Sequence, residues 1–141
     1  MGVNMPRNNS KEYFQKVWRY VEDIRQSYKK GKLPAVVVVC GIGQNKKTGK
    51  SGEFLRKYRI NVSSRHICNA LSRLAPIEKT WHDSCGKEHT IGTCAENDAA
   101  DEVLKSCRNQ QLANLNFSDA YRPRTRRIIK YCEVCQKTYG L

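Results

Sequence analysis

The run AVVVVCGIG, opened by Pro34, constrains the fold more than any other stretch of the chain. Its valines favour a strand, and apolar residues without polar alternation mean that both faces of that strand are buried. Such a strand lies centrally in a sheet and needs cover on both sides. After Ser10, a good helix N-cap, Phe14, Val17, Val21, Ile24 and Tyr28 recur at helical spacing. They predict an amphipathic helix from Ser10 to about Lys30 with this stripe in the core. Residues 1–9 before it are expected to be flexible.

The polar, glycine-bearing QNKKTGKSG predicts a hairpin-like loop, and EFLRKYRINV a second, half-exposed strand. Ile67, Leu71 and Leu74 predict a short helix ending before Pro76, and Thr80 to Gly92, which shows no periodicity, a loop. Residues 63–92 thus form an inserted helix and loop. Ala95, Ala99, Val103, Leu104 and Cys107 mark a helix from Thr93 to about Asn109, LNFSDAY a short strand, and YCEVCQKTYGL a final short helix. The expected fold is α/β: one domain over 1–141, built as a three-layer α/β/α sandwich with a central mixed sheet and helices on both faces. A chain of 141 residues with 39% hydrophobic content has enough material for one sizeable core.

No apolar run approaches the roughly 20 residues needed to cross a bilayer, and MGVNMPRNNS lacks the apolar centre of a signal peptide. No membrane partner is expected. The formal charge of +13 comes from 26 Lys plus Arg against 13 Asp plus Glu. The excess is clustered at Lys29, Lys30 and Lys32; at Lys46, Lys47 and Lys50; at Arg56, Lys57 and Arg59; and at Arg122, Arg124, Arg126, Arg127 and Lys130. One such cluster is as readily a solvated surface as a binding site. Four together point to a polyanion, and nucleic acid is the favoured one.

Seven cysteines without a secretory leader argue for reduced thiols, some of them ligands, and for a reducing compartment such as cytoplasm or nucleus. Cys40, in the apolar run, and Cys107, on the inner face of a helix, are expected to pack. His82, Cys85 and His89, with Cys94 as a fourth ligand, invite a zinc-finger reading. Their spacing fits no standard finger, and they also suit the polar residues of an ordinary loop.

TCAE, Thr93 to Glu96, has two readings. As T-x-x-E it is a helix capping box, with the Thr hydroxyl and the Glu carboxylate each capping a backbone N–H. It also places a Cys and a Glu two residues apart at the start of a helix, an arrangement suited to a metal ligand and a proton shuttle. The companion motif is Cys132-Glu133-Val134-Cys135. C-x-x-C lets two thiolates share a zinc at about 2.3 Å, and a helix starting there stabilises their charge. Alone it could be half a zinc ribbon, a redox pair or chance. No second C-x-x-C exists for a ribbon, and this one lies at the far end of the chain rather than at the start of a βαβ unit. Cys94 can supply a third thiolate, which leaves an open position for water and makes the metal catalytic. Glu96 then stands beside that water without joining the ligands.

TCAE followed by CEVC resembles the cytidine deaminase-like superfamily of zinc-dependent deaminases. The resemblance runs over the order of elements from about Ala35 onward, but its specific residues are Cys94, Ala95, Glu96, Cys132 and Cys135. It implies Zn2+ held by Cys94, Cys132 and Cys135 between the starts of two helices, with Glu96 as general acid/base. At RINVSS it also implies Asn61 as a contact to the sugar. Tyr131 departs from the family, which usually has proline before C-x-x-C. The short end after the motif is similar to the deaminase domains of bacterial toxins and related compact nucleic-acid deaminases, which leaves delivery to that reducing compartment as an effector as the lesser alternative. The inserted stretch from Ser63 to Gly92 could build a substrate-facing wall or lid.

A cysteine as first ligand is commoner in cytidine-type members, which tilts the expected base to cytosine. A free nucleoside gains nothing from +13, whereas a polynucleotide gains counterion release at each basic contact. The expectation is a zinc-dependent deaminase converting cytosine to uracil in single-stranded DNA or RNA, with Arg122, Arg124, Arg126, Arg127 and Lys130 binding the strand and Tyr121 or Trp81 either stacking on bases or packing. Free cytidine or deoxycytidine deamination and a non-catalytic, zinc-stabilised nucleic-acid-binding module are the alternatives. In the last, Glu96 is only a helix cap.

Overall fold

A computed structural model describes residues 7–107 and 110–141. The chain is a mixed α/β protein built around β1 (Val37–Ile42), which pairs with β2 (Asn45–Lys50) on one edge and with β5 (Asn116–Phe117) and β6 (Ala120–Arg122) on the other; β7 (Arg127–Ile129) continues from β6. Every pair of these strands is antiparallel, which corrects the expected mixed sheet. The reason is local. Ile42 pairs with Asn45, so only Gly43 and Gln44 separate β1 from β2, and so short a link can join only antiparallel strands. Gly43 has φ of +57°, at the first central position of a two-residue turn, where glycine is favoured.

The expected central strand is central. Its residues alternate between two cores: Val37 and Val39 pack with α1 (Lys11–Ser27), while Val38 and Cys40 pack with α4 (Ala95–Ser106). α1 starts at Ser10, whose hydroxyl accepts the Tyr13 N–H, and it buries Tyr13, Val17, Val21 and Ile24. Tyr13 takes the place expected for Phe14, which is 47% exposed and stacks on Trp18. Of the segment expected to be flexible, residues 1–6 lie outside the described residues. Arg7 to Asn9 run beside β5: the Asn8 N–H donates to the Phe117 carbonyl at 2.7 Å and Arg7 pairs with Asp119.

β2 falls within the expected loop, and the segment expected as the second strand is instead α2 (Phe54–Lys57) followed by turns. α4 approaches β2 so closely that a Cβ at Gly49 would strike the Ala99 backbone nitrogen, so glycine is required there. α3 (Ser64–Leu71) packs on the same core. Thr80 to Gly92 is not only loop: β3 (Thr80–His82) and β4 (Glu88–Thr90) form a separate two-stranded hairpin. α4 ends at Ser106, and the expected end near Asn109 lies outside the described residues. The final helix, α5 (Glu133–Tyr139), begins at the C-x-x-C as expected. No helix is long and apolar enough to cross a membrane among the described residues.

Candidate metal centre and cavity

Cys94 and Cys132 occupy matching places. Each is the N-cap of a helix, α4 and α5 respectively, with extended backbone (φ −63°, ψ 145° and φ −69°, ψ 158°) and no side-chain bond into its own helix. Their thiols instead meet, with the sulfurs 2.9 Å apart, and Cys135 joins them from the first turn of α5. All three sulfurs lie within 4.8 Å of one another. A tetrahedral zinc at about 2.3 Å from each would set them roughly 3.8 Å apart, within the observed spread. All three are free thiols, and the group is close enough to hold a metal ion.

The thiols are electrically unequal. Hydrogen bonds from Cys135 and Cys94 push Cys132 far below the ordinary thiol range. Donation to Cys132 raises Cys94, and burial raises Cys135. Binding a metal therefore displaces the protons held by Cys94 and Cys135, a cost that falls as pH rises.

Thr93 does not cap α4. Its hydroxyl donates to the Thr90 carbonyl at 2.9 Å, and because Cys94 is the N-cap the T-x-x-E spacing has no capping box to serve. Glu96, only 3% exposed, lies among the cysteines. Burial pushes its pKa up to about 7; hydrogen bonds from its own backbone N–H and from Cys135 pull the other way, and the negative Cys132 adds to the rise.

Cys94, Glu96 and Cys132 line a cavity of about 500 Å³. Ala35 and Val36 before β1, Arg122 of β6, Ile129 at the end of β7, and Lys130 and Tyr131 after it contribute further walls. Tyr131, directly before the C-x-x-C, ties this turn down. Its hydroxyl donates to the Ser118 carbonyl at 2.6 Å, and its own carbonyl accepts the Gln136 amide at 2.8 Å.

The β3–β4 hairpin supplies the remaining wall through Asp83, Cys85, Lys87 and His89. It is latched to the C-x-x-C turn. Ser84 donates to the Glu133 carboxylate from its hydroxyl at 2.7 Å and its N–H at 3.1 Å, and Glu133 sits between the two C-x-x-C cysteines. His82, Cys85 and His89 do not gather into a second metal site: among the described residues the three cysteines are the one such group. His89 is committed to Asp83 at 2.8 Å, and Asp83 also accepts the Cys85 and Lys87 N–H groups, which shapes the hairpin tip.

The expected strand-binding residues divide. Arg122 and Lys130 line the cavity. Arg124 lies beside it in an adjoining depression, Arg126 is paired with Glu22 at 2.7 Å, and Arg127 is exposed outside the cavity lining. Asn61 is not among the lining residues: its amide donates to Asp101 at 3.4 Å, because its segment is a turn between α2 and α3 rather than a strand end. Tyr121 packs edge-on to Trp18, and Trp81 lies against His89. Lys57, counted with the basic excess, is spent internally on Asp98 and Glu102. Ser84 and the bracing roles of Tyr131 and Glu133 are not apparent in the sequence; the position of Glu133 between two candidate ligands is the available signal. Compared with family models, with curated proteins and with solved structures, the chain matches none.

Proposed function

We propose that this chain is a zinc-dependent deaminase of the cytidine deaminase-like type, converting cytosine to uracil in single-stranded DNA or RNA. The observation that carries the proposal is convergence: three cysteines from two helix starts, Cys94 and Cys132 lying 38 residues apart, gather within 4.8 Å, and Cys94, Cys132 and the buried Glu96 line one cavity. Helices against both faces of β1 support the three-layer sandwich of that superfamily. A thiolate set of this kind suits zinc, which when bound would supply the Lewis acidity that makes water a nucleophile at neutral pH.

The chain's own residues perform the proton work. Glu96, beside the cysteines and shielded from solvent, accepts a proton from the attacking water and delivers it to ring N3, then carries the proton of the new C4 hydroxyl to the departing amine. Oxygen is gained at C4, the C4–N bond breaks, and ammonia leaves. A carboxyl poised near neutrality suits both halves of that transfer. Arg122 and Lys130 at the cavity wall offer positive charge to the phosphates flanking the base.

The test is uracil formation on cytosine-containing single-stranded DNA, RNA, duplex and free nucleoside in parallel, with zinc content recorded. Product from a single strand, suppressed by salt, is expected. Equal and salt-insensitive turnover of the nucleoside would shift the assignment to a nucleoside deaminase. No product from any of them, with the metal present, would leave adenine chemistry or binding alone.

A further inference from the structure

Beside the candidate active cavity lies a second depression of about 340 Å³, lined by Gly31, Leu33, Pro34, Ala35, Arg122 and Arg124. Ala35 and Arg122 belong to both, so the two hollows are continuous across a shared rim. We propose that this groove binds the nucleotide next to the target base in a single strand, with Arg124 and Arg122 on its phosphate and Leu33 and Pro34 under its sugar or base. The proposal rests on reading the larger cavity as the pocket for the reacting base.

Charge complementarity supports this occupant. Arg7, Arg59 and Arg126 each pair with a carboxylate, at 2.7 Å. Arg122 and Arg124 are exposed, and among the described residues neither has a carboxylate within 4.0 Å. Their turn is nevertheless fixed. The Arg25 guanidinium, reaching from α1, donates to the carbonyls of Pro123 at 2.7 Å and Arg124 at 3.0 Å, and Arg126 grips Glu22 on the same helix. Pro123 itself is buried. The groove thus presents two unspent guanidiniums from a braced backbone above an apolar floor. A guanidinium pairs with phosphate in bidentate fashion and stacks on a base face, so one short groove can hold both parts of a nucleotide.

The test compares wild type, Arg124→Glu and Arg73→Glu. The last makes the same charge change at an exposed site lining a separate hollow with His66 and Gln111. Binding of a short fluorescent single strand carrying one central cytosine is measured by anisotropy across a salt series, in DNA and RNA versions. Arg124→Glu is expected to weaken binding about tenfold and to lower the salt slope by about one, against less than about twofold for Arg73→Glu. Equal weakening by both variants, or no measurable binding of either strand to wild type, overturns the proposal. Uracil formation on the same strands separates the two ideas. If Arg124→Glu weakens binding while wild type makes no uracil, the groove stands as a nucleotide site, its placement next to a reacting base falls, and the deaminase reading falls with it.

Discussion

The two helices that flank β1 treat burial in opposite ways. α1 buries Tyr13, Val17, Val21 and Ile24 against Val37, Val39 and Tyr121, a cluster with no buried charge. α4 buries Glu96, Asn97, Asp98 and Asp101 among its alanines and Val103. One face lowers the free energy of the fold by the ordinary removal of apolar surface, at about 2 kcal/mol for each large side chain. The other must find partners for each polar group or bear a cost of about 1 to 3 kcal/mol for one left without. Asn97 bears part of that cost: its carbonyl accepts the Tyr139 hydroxyl at 2.6 Å, but its amide nitrogen has no partner among the described residues.

The difference separates the residues that hold the fold from those available for chemistry. Asp98 and Asp101 are absorbed structurally. Lys57 bonds Asp98 and lies 3.9 Å from Asp101, which also accepts the Ser63 and Ser64 hydroxyls at 3.0 and 2.8 Å. Burial still raises Asp98, outweighing the lysine beside it. Burial pulls Lys57 down, yet its hydrogen bonds to Asp98 and Glu102 win and hold it above its ordinary value. Among the described residues no such cation pairs with Glu96: its neighbours are thiols.

The sharpest way to break the contrast is to remove a candidate ligand from the core that α4 and α5 share. Cys135→Ser is expected to abolish both stoichiometric zinc binding and turnover, with zinc followed by elemental analysis; lowering the pH should likewise strip metal from wild type as thiolates are reprotonated. On the α1 side, Ile24→Ala should cost about 3 kcal/mol in urea denaturation, while the fraction that stays folded keeps its metal. Lys57→Met leaves the buried Asp98 and the half-exposed Glu102 short of a donor and should cost about 2 kcal/mol, mostly at neutral pH and less in acid, where the carboxylates are protonated. Phe14→Ser, on the exposed flank of α1, should change stability by less than about 0.5 kcal/mol.

What was legible in the sequence follows the same division. The valine run marks β1 as central because only a doubly covered strand tolerates it, and the α1 stripe repeats with the helix period, although its first buried ring is Tyr13. Cys94, Cys132, Cys135 and Glu96 were readable because helix starts place side chains predictably. β2 was not readable, because Asn45 to Thr48 are polar and half-buried; it is a strand through its pairing to β1 and the contact at Gly49. EFLRKYRINV has strand-like composition, but only Phe54 is fully buried, Tyr58 packs at the core's edge, and Ile60 and Val62 are 82% and 76% exposed. The β3–β4 hairpin escaped notice because its strands are three residues each and its shape comes from Asp83 and the Ser84–Glu133 latch rather than from periodicity.

Glu96 is where the two readings of TCAE diverge most. The direct measurement is uracil formed from a cytosine-containing single strand by wild type and by Glu96→Gln, with zinc determined on both. A proton shuttle predicts that the variant keeps one zinc per chain and its fold but loses at least about a hundredfold in turnover. A variant that retains its zinc and turns over as fast as wild type would contradict the role given to this carboxylate.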